Sequence, residues 1–177
     1  MPNDFTVEFT PINFDKLARN YQGGREEVLG GLHRSLRRIG HLVTPQLREA
    51  TPVGATHNLR NFTVFQIMGK AEDMYLEVRQ AAQSPSGYYY GAAVRGGSRP
   101  HFPPVSALMP WVAVKFAVSG KEVRRIAWAI AVKISRVGTK PNPYHVRVLN
   151  ANLGRIQTIV DEEAQSIVAR LNDVPKV

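Results

Sequence analysis

The sequence predicts an α+β fold: a small antiparallel sheet packed against three to four helices, with one long helix near the N-terminus and another at the C-terminus. Three observations carry this. Long apolar stripes at helical spacing occupy residues 25–50 and 143–172. A β-branched and aromatic run at 62–68 is followed, after a short turn, by a second alternating run at 74–79. Clusters of glycine and proline punctuate the chain between these segments and leave room only for short elements.

Each element has its own signal. Residues 1–24 form a less regular segment, with a short helix expected over 13–21 before Gly23-Gly24 interrupts the chain. In the first long helix Val28, Leu29, Leu32, Leu36, Ile39, Leu42, Val43 and Leu47 recur at helical spacing. Glu26 and Glu27 sit in its first turn, where the helix dipole favours negative charge. Arg34, Arg37, Arg38 and Arg48 fall mostly off the stripe, and Pro45 is expected to kink the helix or end one piece of it. Residues 51–61 have turn chemistry. The strands at 62–68 and 74–79 follow, joined by a turn at 69–73, and a third strand is expected over 88–95. Glycine and proline keep 96–104 from holding regular structure. A helix is expected over 106–116 with Pro110 in its first turns. Ser119 and Glu122 have the spacing of a capping box opening a helix that runs to Val137, with Gly138 as its C-terminal cap. In the last helix Val146, Leu149, Leu153, Ile156, Val160, Ile167 and Leu171 form the apolar stripe. With 177 residues the chain suits a single domain.

Composition narrows function. Apolar residues make up 44% and charged residues 21%, the balance of a chain with a packed core. The absence of cysteine excludes disulfides, thiolate metal sites and cysteine nucleophiles. The opening MPNDFTVEFT lacks the pattern of a signal peptide, and no apolar run approaches the roughly 20 residues a membrane span needs. The five histidines fall in no metal-ligand pattern, and no phosphate loop or nucleophile turn occurs. Asp161, Glu162 and Glu163 are consecutive on a helix, point different ways, and read as a solvated face. No constellation for acid–base work is visible, so the expectation is a non-enzymatic protein without cofactor or metal. The net charge of +9 points to an acidic protein face, nucleic acid or a solvated basic surface.

The helix after Ser119 has two faces. At 100° per residue, Val123, Ile126, Ala127, Ile130, Ala131, Ile134 and Val137 share one side, which reads as core. Lys121, Arg124, Arg125, Lys133 and Arg136 cover the other side, with Trp128 and Val132 among them. Either a second layer buries Trp128, or Trp128 is an aromatic anchor ringed by arginine, the composition of an interface centre. In the Gly/Pro loop, Arg99 and Phe102 lie among prolines with no periodic partner, which marks a docking arm or a ring folded under the sheet.

The segment 127–144, AWAIAVKISRVGTKPNPY, ends an amphipathic helix in Gly-Thr-Lys-Pro-x-Pro-aromatic. Before it come Tyr90-Gly-Ala-Ala-Val-Arg-Gly-Gly, a proline-rich loop and Pro110-Trp111. Earlier still, a long helix runs into Thr51-Pro52 and Thr56-His57-Asn58-Leu59-Arg60. In this order the segments resemble the tail-completion family of long-tailed bacteriophages, also called tail terminator or head-to-tail joining proteins. The resemblance spans about residues 25 to 172. Ala55 and His57 stand where the family has Asp and Gly, the Pro52-to-Thr56 spacing is one residue longer, and Arg95 replaces a Glu. The resemblance implies a structural subunit of the virion neck, present in the host cytoplasm during assembly. Copies, commonly six, would form a ring that caps the tail tube protein and meets the head connector or stopper protein, with DNA passing through without sequence specificity. No membrane is implied. Trp128, Arg124, Arg125, Val132, Phe102, Arg99, Arg60 and His57 are the interface candidates. The rival readings are another neck component, such as a head-completion adaptor or stopper, and a free basic nucleic-acid-binding protein.

Overall fold

The computed structural model describes residues 24–54, 57–83 and 91–172, apart from the side chains of Glu72 and Ala93. The helix expected over 13–21 lies outside them. Six helices and a two-stranded antiparallel sheet occur among the described residues. The order is α1 (Arg25–Ala50), α2 (Asn58–Asn61), β1 (Thr63–Met68), β2 (Tyr75–Gln80), α3 (Gly91–Gly96), α4 (Val105–Phe116), α5 (Lys121–Val137) and α6 (Tyr144–Asn172). None of these helices is long and apolar enough to cross a membrane.

The chain divides into two compact units, and the sequence alternates between them. One contains Ala50–Phe62 and Gln80–His145. The other contains α1 up to Glu49, Thr63–Arg79, and α6 from Val146.

In the second of these, α1 buries Val28, Leu32, Leu36, Ile39, Val43 and Leu47, the centre of the expected stripe. The helix continues past Pro45 to Ala50, so the proline does not end it, and the Gln46 side chain donates to the Leu42 carbonyl at 3.2 Å. Arg48 Nε donates to the Thr63 carbonyl at 2.9 Å and ties the end of α1 to the start of β1. Leu76 and Val78 of β2 turn inward at the two-residue period of a half-buried strand.

The last helix differs from its expected pattern. Its buried line is Val148, Asn152, Ile156, Glu163 and Ile167, whereas Val146 and Leu153 are exposed. Two polar residues face inward because α1 offers them partners. Gln46 and Asn152 exchange amide hydrogen bonds, Gln46 Nε2 to Asn152 Oδ1 at 3.0 Å and Asn152 Nδ2 to Gln46 Oε1 at 2.8 Å. Glu163 accepts from Arg34 Nε at 2.6 Å and from Arg170 Nη2 at 3.2 Å. Glu163 is therefore part of the helix packing and not of a solvated face.

In the first unit α4 and α5 pack as a helical hairpin around Val112, Val123 and Ala127, with Leu108, Trp111, Ile126 and Ile130 at the margin. Pro110 lies inside α4. Ala127 and Ala131 are fully buried, and these small side chains allow the helices to approach closely. Val137, expected in the core, is exposed, since it is the last residue of α5 before the chain turns at Gly138.

Two further expectations are corrected. Residues 91–96 are helical rather than the end of a third strand, while 88–90 lie outside the described residues. Ala92 and Ala93 favour a helix, and the segment lacks the β-branched run a strand would use. The capping box does not form either. Gly120 occupies the N-cap with φ 60 and ψ −135, which puts Glu122 one position too early to reach back. Glu122 instead accepts from Arg125 at 3.0 Å.

Candidate docking site

A clip of backbone holds together the two segments that carry most of the motif pattern. Ser98 and Thr139 form an antiparallel bridge, Ser98 N–H to the Thr139 carbonyl at 3.2 Å and Thr139 N–H to the Ser98 carbonyl at 3.1 Å. Asn142 N–H donates to the Arg95 carbonyl at 3.0 Å. Glycine is required on both sides. Gly97 and Gly138 have φ of 72 and 69, and a Cβ on Gly138 would lie 2.0 Å from the Ser98 carbonyl oxygen. The Gly/Pro loop is thus anchored at its base, contrary to the expectation of a segment without structure. Pro103 is buried at its far end. Between these anchors Arg99, Pro100, His101 and Phe102 are exposed.

Beneath the clip lies a buried polar cluster. Tyr144 Oη and Arg95 Nη1 both donate to Gln80 Oε1, the latter at 3.4 Å, and Gln80 Nε2 donates to Thr51 Oγ1 at 2.9 Å. All four residues are at least nine-tenths buried. Burial raises the Tyr144 phenol above its ordinary 10.0, against the opposing pull of its Gln80 hydrogen bond and the nearby Arg95 charge. Arg95 stands where the resembled pattern has Glu, and here its guanidinium donates to Gln80 inside the unit. The cluster joins Thr51 of the Thr-Pro segment, Arg95 of the Gly-Ala-Ala-Val-Arg segment and Tyr144 of the Pro-x-Pro-aromatic segment. Sequence reasoning named none of these as partners. The signal was present at Gln80: it continues the inward alternation of Leu76 and Val78, and a buried amide needs hydrogen-bond partners.

The interface candidates fall in three places. On α5, Trp128 is 58% exposed, Arg124 and Arg125 are exposed, and Val132 is half-buried one turn further on. No second layer among the described residues covers Trp128. On the clipped loop, Arg99 is exposed and Phe102 is 55% exposed, so its ring is not buried in a core. Because the bridge fixes this loop at the C-terminal end of α5, its base lies roughly 15 Å along the helix axis from Trp128, at 1.5 Å per residue. Arg60 belongs to α2, and His57 is its N-cap residue. His57 is exposed at φ 55 and precedes the helix, its carbonyl accepting from Asn61 N–H at 3.0 Å. Arg60 is half-buried, and Leu59 between them is buried and anchors the turn. The helical geometry groups the four α5 residues, and the clip brings Arg99 to the end of that helix.

Among the described residues each unit carries a shallow cleft. Pro52, Val53, Gly54, Asn58, Leu59, Val94 and Trp111 line the first, about 290 Å³ and without an ionisable residue. The other, about 340 Å³, is lined by His41, Thr44, Pro45, Arg48, Val64 and Phe65. Neither brings a carboxylate to a histidine or a hydroxyl. Among the described residues no group of three or more His, Cys, Asp or Glu is placed to hold a metal ion. What the surface does offer is an exposed aromatic, Trp128, beside the half-buried Val132 within a basic helix face. No family model matches the chain, and no match was found among curated proteins or solved structures.

Proposed function

We propose that this chain is a non-enzymatic docking subunit of the neck of a long-tailed bacteriophage, a tail-completion protein whose copies form a ring. The ring, of six copies, joins the tail tube protein to the head connector or stopper protein and lets DNA pass without reading its sequence. The carrying observation is the clamp: Thr51, Arg95 to Ser98 and Thr139 to Tyr144, which hold much of the resembled motif pattern, meet in one place. Residues distant in sequence then serve one purpose, which is to hold the Arg99–Phe102 tip and the end of α5 in fixed relation. A preformed surface loses less entropy on docking than a loose one. In a ring each copy presents one surface to its neighbour and a different one to the copy behind, so exposed anchors need no self-complementarity.

The test is to image particles of a phage that encodes the protein and particles from which its gene is deleted. The reading expects a closed ring at the neck in the first. In the second it expects filled heads and tails that fail to join, or tails of uncontrolled length. Whole, infectious particles without the protein would refute it, and density in the adaptor or stopper layer would reassign it within the neck. The basic face of α5 also suits a free nucleic-acid-binding protein; a tight duplex complex that weakens steeply with salt, with no ring in the particle, would favour that reading.

A further inference from the structure

The arginines of this protein have two different fates. Arg34, Arg38 and Arg170 are paired with Glu27, Glu162 and Glu163, so their charge is used within the packing of α1 and α6. On α5 the balance is different. Lys121, Arg124, Arg125, Lys133 and Arg136 face one acid, Glu122, which pairs with Arg125. Lys121, Arg124, Lys133 and Arg136 make no ion pair among the described residues. Five cations on a short helix repel one another unless carboxylates or phosphates come from outside. The Trp128 indole stands within this field, 58% exposed, with Arg124 and Arg125 one turn before it and Val132 one turn after it.

We infer that the outer face of α5 is the seat for an acidic protein surface that carries an apolar side chain at its middle. This deepens the docking reading above and rests on it. Charge complementarity selects the sign of the partner: carboxylates would meet Lys121, Arg124, Lys133 and Arg136. The centre selects its class. An aromatic and an aliphatic side chain inside a charged rim match the dry centre and polar rim of a protein interface. Single-stranded nucleic acid instead uses several aromatics in succession, and this face has one. Duplex phosphates would satisfy the rim but leave Trp128 and Val132 against a charged, hydrated backbone.

The experiment uses the full chain, labelled with nitrogen-15, and follows its two tryptophan indole signals, with Trp128 assigned by Trp128→Ala. Three probes are titrated: a synthetic helical peptide with glutamates flanking a central leucine, a poly-glutamate peptide of equal charge, and a 20-base-pair duplex DNA. The glutamate–leucine peptide should shift the Trp128 signal at lower concentration than either other probe and should leave Trp111 unmoved. Trp128→Ala should weaken its binding on the order of 30-fold, the scale of a lost interface anchor. Arg124→Glu should weaken it about tenfold or more, through rim charge reversal. Arg155→Glu, the same charge change at an exposed site on α6, should matter little. Melting curves of the variants separate lost binding from lost fold, and Arg124→Glu keeps the test valid if Trp128→Ala unfolds. Tightest binding of duplex DNA, with the same signal shifted, would overturn the proposal in favour of a nucleic-acid face. No shift with any probe would show a solvated face and overturn it as well. Ring formation, read by electron microscopy of the same protein, is independent: peptide binding without rings would remove the ring and leave this seat standing.

Discussion

Replacing Gly138 by alanine tests the clip directly, and two separate costs can be worked from its geometry. The residue sits at φ 69 and ψ −158, a region held almost only by glycine, so a side chain there costs about 1–3 kcal/mol of backbone strain. The added Cβ would also lie 2.0 Å from the Ser98 carbonyl oxygen and 3.0 Å from the Arg99 carbonyl carbon. Both are backbone atoms and cannot swing aside. The bridge must therefore open, with loss of its two hydrogen bonds at roughly 0.5–1.5 kcal/mol each. A total near 3 kcal/mol is expected, a fall in melting temperature of about 6–12 °C for a chain of this size. The control is the same substitution at Gly154, in an exposed turn of α6 where a new Cβ meets nothing within 4 Å. There alanine should stabilise by about 0.5–1 kcal/mol, because glycine is the poorer helix former. Denaturant unfolding measures both, and hydrogen exchange at the Ser98 and Thr139 amides reports the bridge itself. If Gly138→Ala lost less than about 0.5 kcal/mol and kept Ser98 protected, the clip would not be what holds these segments.

Two further substitutions probe the polar interiors. Tyr144→Phe should cost about 1 kcal/mol near neutral pH through its lost bond to Gln80, and it should flatten the alkaline limb of the stability curve. The sign follows from a phenol whose folded pKa is raised above 10.0: its contribution is intact below pH 10 and is lost as pH rises through the raised value, a loss that melting curves should show in the parent and not in the variant. Glu163→Ala should destabilise by about 1–3 kcal/mol, the range reduced because Arg34 and Arg170 are 39% and 43% exposed and water can take over part of their solvation. An unfolding free energy unchanged by Glu163→Ala would mean that this ion pair is only a surface contact.

Much of the fold is legible where one residue type decides an element by itself. The apolar stripe of α1, the β-hairpin and the Gly138 cap each follow from local pattern, and each is found, whereas local pattern left the burial or exposure of Trp128 open and the fold decides it. Legibility ends where a partner distant in sequence decides. The expected stripe of α6 assumes that apolar residues face inward, yet Asn152 and Glu163 take inward positions because Gln46 and Arg34 meet them there. Nothing within residues 143–172 records those partners. The short helix at 91–96 is a related case: its last residues are fixed by Arg95 reaching Gln80 and by the Asn142 amide on the Arg95 carbonyl.

The candidate site shows the same division, and the division bears on its chemistry. Sequence pattern alone places Arg34 and Arg124 alike, each on a helix and off the apolar stripe. The fold separates them. Arg34 meets Glu163 and Glu27, and its guanidinium, hydrogen-bonded above all to Glu163, is held still more firmly in its charged form. Arg124 meets no carboxylate among the described residues. A net charge of +9 therefore overstates the field available to partners on α1 and α6, where much of it is already neutralised at short range. It understates the contrast on α5, where the cations have one acid among them. A neutralised arginine contributes little at a distance because its dipole field falls off faster than that of a charge, whereas an unpaired cation acts over about a Debye length of 8 Å at physiological salt. Among the described residues the α5 face combines such cations with an exposed indole, and on the docking reading it would steer an acidic partner and hold it after contact.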